Sequence, residues 1–176
     1  MISCLMGCNG NGTGISQKKL FDLNWKFNYG NNKSSAEVDF MDQNWRSLDL
    51  PHDWSKDKEL LRSINGTTNS NPLKIAWYRK HFEIPENWFN KNISIYFEGI
   101  SDQTEIFVNG KSIDHFHEKS ESYQKLISPY LNYKDNNVIA IKVSISKQTE
   151  GRSEAYLGIY KHVWLVIKDS QGSIMD

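Results

Sequence analysis

Cysteine is nearly absent from this chain. Its 176 residues hold two, Cys4 and Cys8, both at the N-terminal extremity. The remainder therefore has no disulfide framework and no thiolate metal site. An excess of charge is missing as well, because 21 Lys and Arg balance 21 Asp and Glu. That balance leaves no electrostatic footprint for nucleic acid, and no basic run marks a membrane-binding helix. No apolar stretch approaches the roughly 20 residues of a transmembrane helix. Long amphipathic helical patterns and internal repeats are also wanting. What remains is a soluble, globular chain of one domain, or one domain with a tail, able to bury roughly 70% of its unfolded surface.

The first residues stand apart. "MISCLMGCNGNGTGIS" runs into Gly, Asn, Ser and Thr, a composition that builds no core and reads as a flexible tether. Within it "LMGC", Leu5 to Cys8, resembles the lipobox of bacterial lipoproteins, which makes Cys8 the expected lipid attachment site. A charged leader and a full apolar segment do not precede it. A start codon placed too far downstream accounts for both.

Beyond the tether the pattern is that of strands. Leu23, Trp25 and Phe27 alternate with polar residues, as in a half-buried strand. "SSAEVDFMDQNWRSLDLP" is a polar excursion ending in an extended piece. Residues 55–73 read as a long surface loop, with one helical turn near Glu59 to Arg62. "AWYRKHFEIP" alternates Trp77, Arg79 and His81 against Tyr78, Lys80 and Phe82. "NISIYFEGI" is a strand. In "TEIFVNGKSID" the Asn109-Gly110 pair between apolar-alternating runs predicts a type I′ hairpin, whose two turn residues both take φ > 0. "NNVIAIKVSIS" and "HVWLVIKD" complete the set, the latter with Val163, Leu165 and Ile167 on one face. About seven short strands at regular spacing predict an all-β antiparallel sandwich.

Few constellations suggest chemistry. His52 and Asp53 are adjacent, so on an extended chain they point apart, and no GxSxG elbow supplies a nucleophile. A turn whose side chains bond nearby backbone is the favoured reading. His115 and His117 could share one strand face, but a third metal ligand at telling spacing is lacking. Carboxylates such as Glu98, Asp102, Glu105, Asp114, Glu150 and Glu154 are plentiful, yet acid/base pairing depends on separations that sequence does not give. Sequons at Asn11, Asn32, Asn65 and Asn92 matter only in a eukaryotic secretory pathway. Trp25, Trp77 and Trp164 are expected in the core, whereas Tyr123 and Tyr156 are placed in loops as candidate ligand contacts.

Six segments carry a resemblance: "NWKF" at 24–27, "LPHDW" at 50–54, "AWYRKHFEIP" at 76–85, "YFEGISDQTEIFVNGK" at 96–111, "SPYLNYKDNNVIAIKV" at 128–143 and "GIYKHVWL" at 158–165. In this order they resemble the N-terminal sugar-binding domain of glycoside hydrolase family 2, the β-galactosidase, β-glucuronidase and β-mannosidase group. The resemblance implies a jelly-roll β-sandwich, galactose-binding-domain-like, over residues 18–170. Residues 1–17 become a lipoprotein-signal remnant and tether, and 171–176 a C-terminal tail. It also implies that Leu50 to Trp54 form a structural corner without catalysis.

In that family the hydrolytic carboxylates sit in a TIM barrel, one of them in an Asn-Glu pair. No Asn-Glu dipeptide occurs here, and these residues are too few for a barrel. The resemblance therefore implies a non-catalytic domain of a bacterial β-galactosidase-like enzyme, inactive by itself, with no cofactor and no metal. Its partners would be a β-linked glycoside and the barrel and immunoglobulin-like domains of the same enzyme. Its place would be the periplasm or cell envelope, reaching the membrane only through a lipid anchor. A stand-alone, lipid-anchored carbohydrate-binding module is the alternative, and a ligand-free structural sandwich a third reading. The loop before the last strand faces the active site in the family, which nominates Arg152 as a substrate contact in addition to the loop tyrosines Tyr156 and Tyr123. There the family's Trp-Tyr pair is replaced by Ser153-Glu154, and its final Arg by Lys161.

Overall fold

The computed structural model describes residues 16–57, 75–101, 103–116, 122–144 and 156–170. Their strands are β1 (Ser16–Leu20), β2 (Trp25–Tyr29), β3 (Arg46–Leu48), β4 (His52–Asp53), β5 (Ile75–Phe82) and β6 (Lys91–Phe97). The remainder are β7 (Gln103–Val108), β8 (Lys111–Phe116), β9 (Tyr123–Leu126), β10 (Asn137–Ser144), β11 (Gly158–Ile159) and β12 (Val163–Asp169). Every pairing is antiparallel. A four-stranded sheet runs β1-β12-β6-β9, a six-stranded sheet runs β3-β2-β5-β10-β7-β8, and β11 pairs with β4. The expected sandwich is present, and no α-helix occurs among the described residues.

Alternation decides what each sheet buries. Ile93, Ile95 and Phe97 of β6 and Val163, Leu165 and Ile167 of β12 face Trp25, Phe27, Tyr78, Ile106, Val108, Ile139 and Ile141 of the larger sheet. Such side chains fill the space between sheets roughly 10 Å apart, each stabilising by about 1.5–3 kcal/mol on full burial. The first strand starts at Ser16, inside the stretch assigned to the tether. Leu23 is 58% exposed, because it lies ahead of β2 rather than in its alternation.

The hairpin between β7 and β8 turns at Asn109 (φ 50°) and Gly110 (φ +76°), as the Asn-Gly pair requires. Asn109 also anchors the turn to β10, accepting from Val138 N at 2.9 Å and donating to Asn137 Oδ1 at 2.9 Å.

The outer face of the larger sheet is not solvated as simple alternation implies. The segment 33–45 lies over it, and Ala36, Trp77 and Ala140 form a second apolar cluster with Trp45 and Phe107. Arg79 is fully buried beneath this cover. Its Nε donates to Asp42 at 2.8 Å, and one guanidinium nitrogen donates to the carbonyls of Ser35 (2.5 Å) and Glu37 (3.0 Å). Those bonds compensate much of the cost of holding a cation in an apolar layer, although Nη2 has no partner among the described residues.

Candidate functional site

Leu50 to Trp54 forms a corner that ties three distant parts of the chain together. The Leu50-Pro51 bond is cis, and Leu50 N donates to Asp22 O at 2.9 Å. Next, β4 lies against β11, pairing His52 with Ile159 and Asp53 with Gly158. Asp53 Oδ1 accepts from Ser55 N (3.1 Å), Ser55 Oγ (2.6 Å) and Leu157 N (3.1 Å), while Oδ2 lies 3.3 Å from Lys56 Nζ. Burial works to raise the Asp53 pKa, but these donors outweigh it and hold the carboxyl below its ordinary range. Asp53 is thus a carboxylate that clamps the start of β11, not the partner of His52.

His52 faces inward. Its Nδ1 lies 2.9 Å from the hydroxyl of Tyr78, a fully buried residue. Burial, helped by Arg46, lowers the His52 pKa, and burial raises that of Tyr78 well above its usual value against the pull of the Ile159 amide. Both shifts favour the uncharged forms, so the contact joins a neutral phenol and a neutral imidazole, and the imidazole tautomer sets which of them donates. Phe27 packs edge-on against His52, with ring centres 4.6 Å apart, and Trp54 stacks on Tyr29 at 5.4 Å. The His-Asp pair is a corner post, as expected, with its two side chains serving different partners.

Gly158 completes the corner because no other residue fits. Its φ is +98°, and a Cβ there would stand 2.3 Å from the Tyr78 hydroxyl and 3.0 Å from His52 O. Its N–H donates to Ser101 Oγ at 2.7 Å, and its carbonyl accepts from Ser101 N at 3.0 Å. The fixed corner delivers Tyr156 to the surface, 55% exposed. The Tyr156 ring stacks on Tyr160 with centres 5.2 Å apart and planes 25° apart, and Lys56 Nζ lies 5.6 Å from its centre. An exposed aromatic face flanked by an ammonium is suited to a sugar ring, which has apolar faces and a hydroxyl rim.

The other nominated residues are placed differently. Tyr123 lies on β9 rather than in a loop, because Tyr123–Leu126 adds an edge strand to the smaller sheet. Its hydroxyl donates to Asp114, which also pairs with Lys125 Nζ at 2.7 Å. Burial and the neighbouring Asp114 charge hold that phenol well above its ordinary pKa. Tyr123 thus joins the edges of the two sheets, away from Tyr156 in the strand order. Arg152, Cys8, His117, Asp102, Glu150, Glu154 and the turn at 59–62 lie outside the described residues. Among the described residues no three His, Cys, Asp or Glu side chains converge as metal ligands. Lys56 and Tyr160 were not singled out from sequence. The only signal for Tyr160 was its place in the Gly158-Ile159-Tyr160 run. Trp25 and Trp77 are buried as expected, whereas Trp164 is only half-buried and faces outward from β12.

The model of the sugar binding domain of glycosyl hydrolases family 2 matches residues 19–168. The chain belongs to this family. A β-galactosidase of Bacteroides ovatus, BoGH2A, is 32% identical over 151 residues, which is 85% of this chain and 18% of that protein. A β-glucuronidase of Formosa agariphila is 24% identical over 164 residues, 85% of this chain and 17% of that protein. Among solved structures, a β-glycosidase from Bacteroides vulgatus aligns with a TM-score of 0.71 at 34% identity, covering 86% of this chain and 20% of the other. The chain thus spans about a fifth of the length of the relatives it matches. Its sandwich is the sugar-binding domain found in family 2 enzymes.

Proposed function

We propose that this chain is the non-catalytic sugar-binding domain that supports the active site of a bacterial, β-galactosidase-like enzyme of family 2. One observation carries the reading. Tyr156 is exposed and stacked, and it sits on a corner whose geometry Asp53, Gly158 and Ser101 fix. Arg152 lies in sequence between β10 and β11, and its guanidinium carries several donors of the kind that suit sugar hydroxyls or a carboxylate. The partners are a β-linked glycoside and the barrel and immunoglobulin-like domains of the same enzyme. The clamp on Leu157 holds the C-terminal end of that connection in register, and this supports a positioning role.

Retaining hydrolysis needs two carboxyls about 5 Å apart across the scissile bond. The isolated chain is therefore expected to leave aryl β-galactosides, β-glucuronides and β-mannosides uncleaved. Hydrolysis that survives repurification would overturn this. In the full-length enzyme Arg152→Ala and Tyr156→Ala should each lower turnover or affinity while the melting temperature stays within about 2 °C of the parent. Wild-type kinetics for both would sink the site assignment. The "LMGC" segment supports a lipid-anchored form in the periplasm or cell envelope. With its upstream signal present the protein should partition into membranes and Cys8→Ala should release it; equal partitioning of the two would exclude the anchor.

A further inference from the structure

The sandwich has two outer faces, and among the described residues only one of them carries an apolar cluster of its own. Residues 33–45 roof the six-stranded sheet, whereas no second apolar cluster forms on the outside of the four-stranded sheet among the described residues. The strand register places Leu20, Trp164, Tyr96 and Gln124 in one row across the outer face of the four-stranded sheet. Directly opposite residues on neighbouring antiparallel strands have Cβ atoms roughly 4.5–5.5 Å apart. Trp164 and Tyr96 are therefore directly opposite neighbours on the outer face. Glu98 Oε1 accepts from Trp164 Nε1 at 2.9 Å, which fixes the plane of the indole. Lys18 Nζ stands 4.8 Å from the centre of the Tyr96 ring. Gln124 is exposed, and its amide has no hydrogen-bond partner among the described residues.

We propose that this row is a second carbohydrate-binding surface, taking the flat face of a β-linked oligosaccharide across Trp164 and Tyr96. It is separate from the Tyr156 corner and does not depend on it. A pyranose offers an apolar face and an equatorial ring of hydroxyls, so it needs an aromatic step bordered by donors and acceptors. Gln124 supplies a donor beside Tyr96, Lys18 Nζ supplies one over its ring, and Glu98 supplies an acceptor beside Trp164. A protein partner fits less well. A stable interface covers about 800 Å² on each side around an apolar centre. Two half-buried rings, at about 150–250 Å² apiece even in full, form a strip too narrow for that.

The test is a titration of the nitrogen-labelled chain followed through its indole N–H resonances, with cellotetraose and β-1,4-galactotetraose as probes. Trp164→Phe assigns the Trp164 resonance. Either probe at millimolar concentration should move that resonance and leave those of the buried Trp25 and Trp54 in place. Gln124→Arg, a change at an exposed position, should weaken binding by roughly tenfold, the scale of one lost stacking or hydrogen-bonding contact. Tyr156→Ala should leave the Trp164 response unchanged. An immobile Trp164 resonance with both probes would overturn the proposal. So would a response that Tyr156→Ala abolishes, or a concentration-dependent dimer that Gln124→Arg dissociates.

Discussion

Removing the carboxylate of Asp42 probes what holds the roof of the larger sheet. Arg79 has an exposed side-chain fraction of 0% and Asp42 one of 8%, so Asp42→Ala strands a guanidinium in a dry layer. Breaking a buried pair from one side costs about 3–5 kcal/mol. Two carbonyl bonds, to Ser35 and Glu37, survive the change and favour the lower end of that range. Nη2 of Arg79 has no hydrogen-bond partner among the described residues, so they offer no spare acceptor there. His81 Nε2, 3.0 Å from the same carboxylate oxygen, loses its contact too. For a domain of this size each kcal/mol moves the melting point by about 2–4 °C. About 3 kcal/mol thus lowers it by roughly 6–12 °C, readable by scanning calorimetry.

Two controls separate charge from packing. Replacing both partners, Asp42→Leu with Arg79→Met, should recover most of the loss, because two apolar groups need no compensation. The pH dependence gives the second. Burial favours the protonated acid, but the bonds from Arg79 and His81 outweigh it, and the folded pKa of Asp42 lies below its ordinary value. The stabilisation is therefore complete above the unfolded pKa near 3.9 and is lost as pH falls through the lower folded value. The gap between parent and Asp42→Ala should narrow only below about pH 4. A single variant that melts with the parent, or a double variant no better than the single, would refute the argument.

The corner and the hairpin give sharper steric tests. Gly158→Ala forces a Cβ against the Tyr78 hydroxyl and the His52 carbonyl at φ +98°, and should destabilise by about 2–4 kcal/mol in urea unfolding; an unchanged midpoint would place Gly158 elsewhere. At Gly110 the nearest atom to a Cβ is 3.6 Å away, so Gly110→Val acts through backbone strain alone and should cost more than about 1 kcal/mol. His52 and His162 titrate with opposite signs. His52 is held low by burial, so its contribution is present above the unfolded pKa near 6.5 and is lost as pH falls below it. His162, raised by its hydrogen bond to Asp22, contributes below that pH and loses the contribution as pH rises through the folded pKa. His162→Gln should thus narrow its difference from the parent at alkaline pH, and a constant difference from pH 5 to 9 would refute the Asp22 linkage.

What could be read from sequence follows the range of the forces involved. The Asn109-Gly110 turn was legible because its requirement, positive φ at two successive residues, is local. Val163, Leu165 and Ile167 were legible because period-two alternation alone assigns them to the core. The same rule put Trp77, Arg79 and His81 together on one face of β5 but could not say what covers it. Only the excursion bearing Asp42, 37 residues away, turns that face into a second buried layer. Trp164 shows the converse. Its size and strand position suggested core, yet its parity matches Tyr96 and not Leu165, so it faces outward.

The corner combined both situations. Pro51 and the adjacent His52-Asp53 announced a turn, but what Asp53 holds lies 104 residues along the chain. The need for glycine at 158 comes from Tyr78, on a third segment. Composition and periodicity describe one segment at a time, so they could not join these three. The ordered resemblance of the motifs could, because in a related chain the same segments already meet. Tyr156 was nominated as a loop aromatic, and the resemblance placed its segment in the loop before the last strand. Tyr96 and Trp164 fall in two separate quoted motifs, and their pairing becomes visible only once strand register sets the two residues opposite each other.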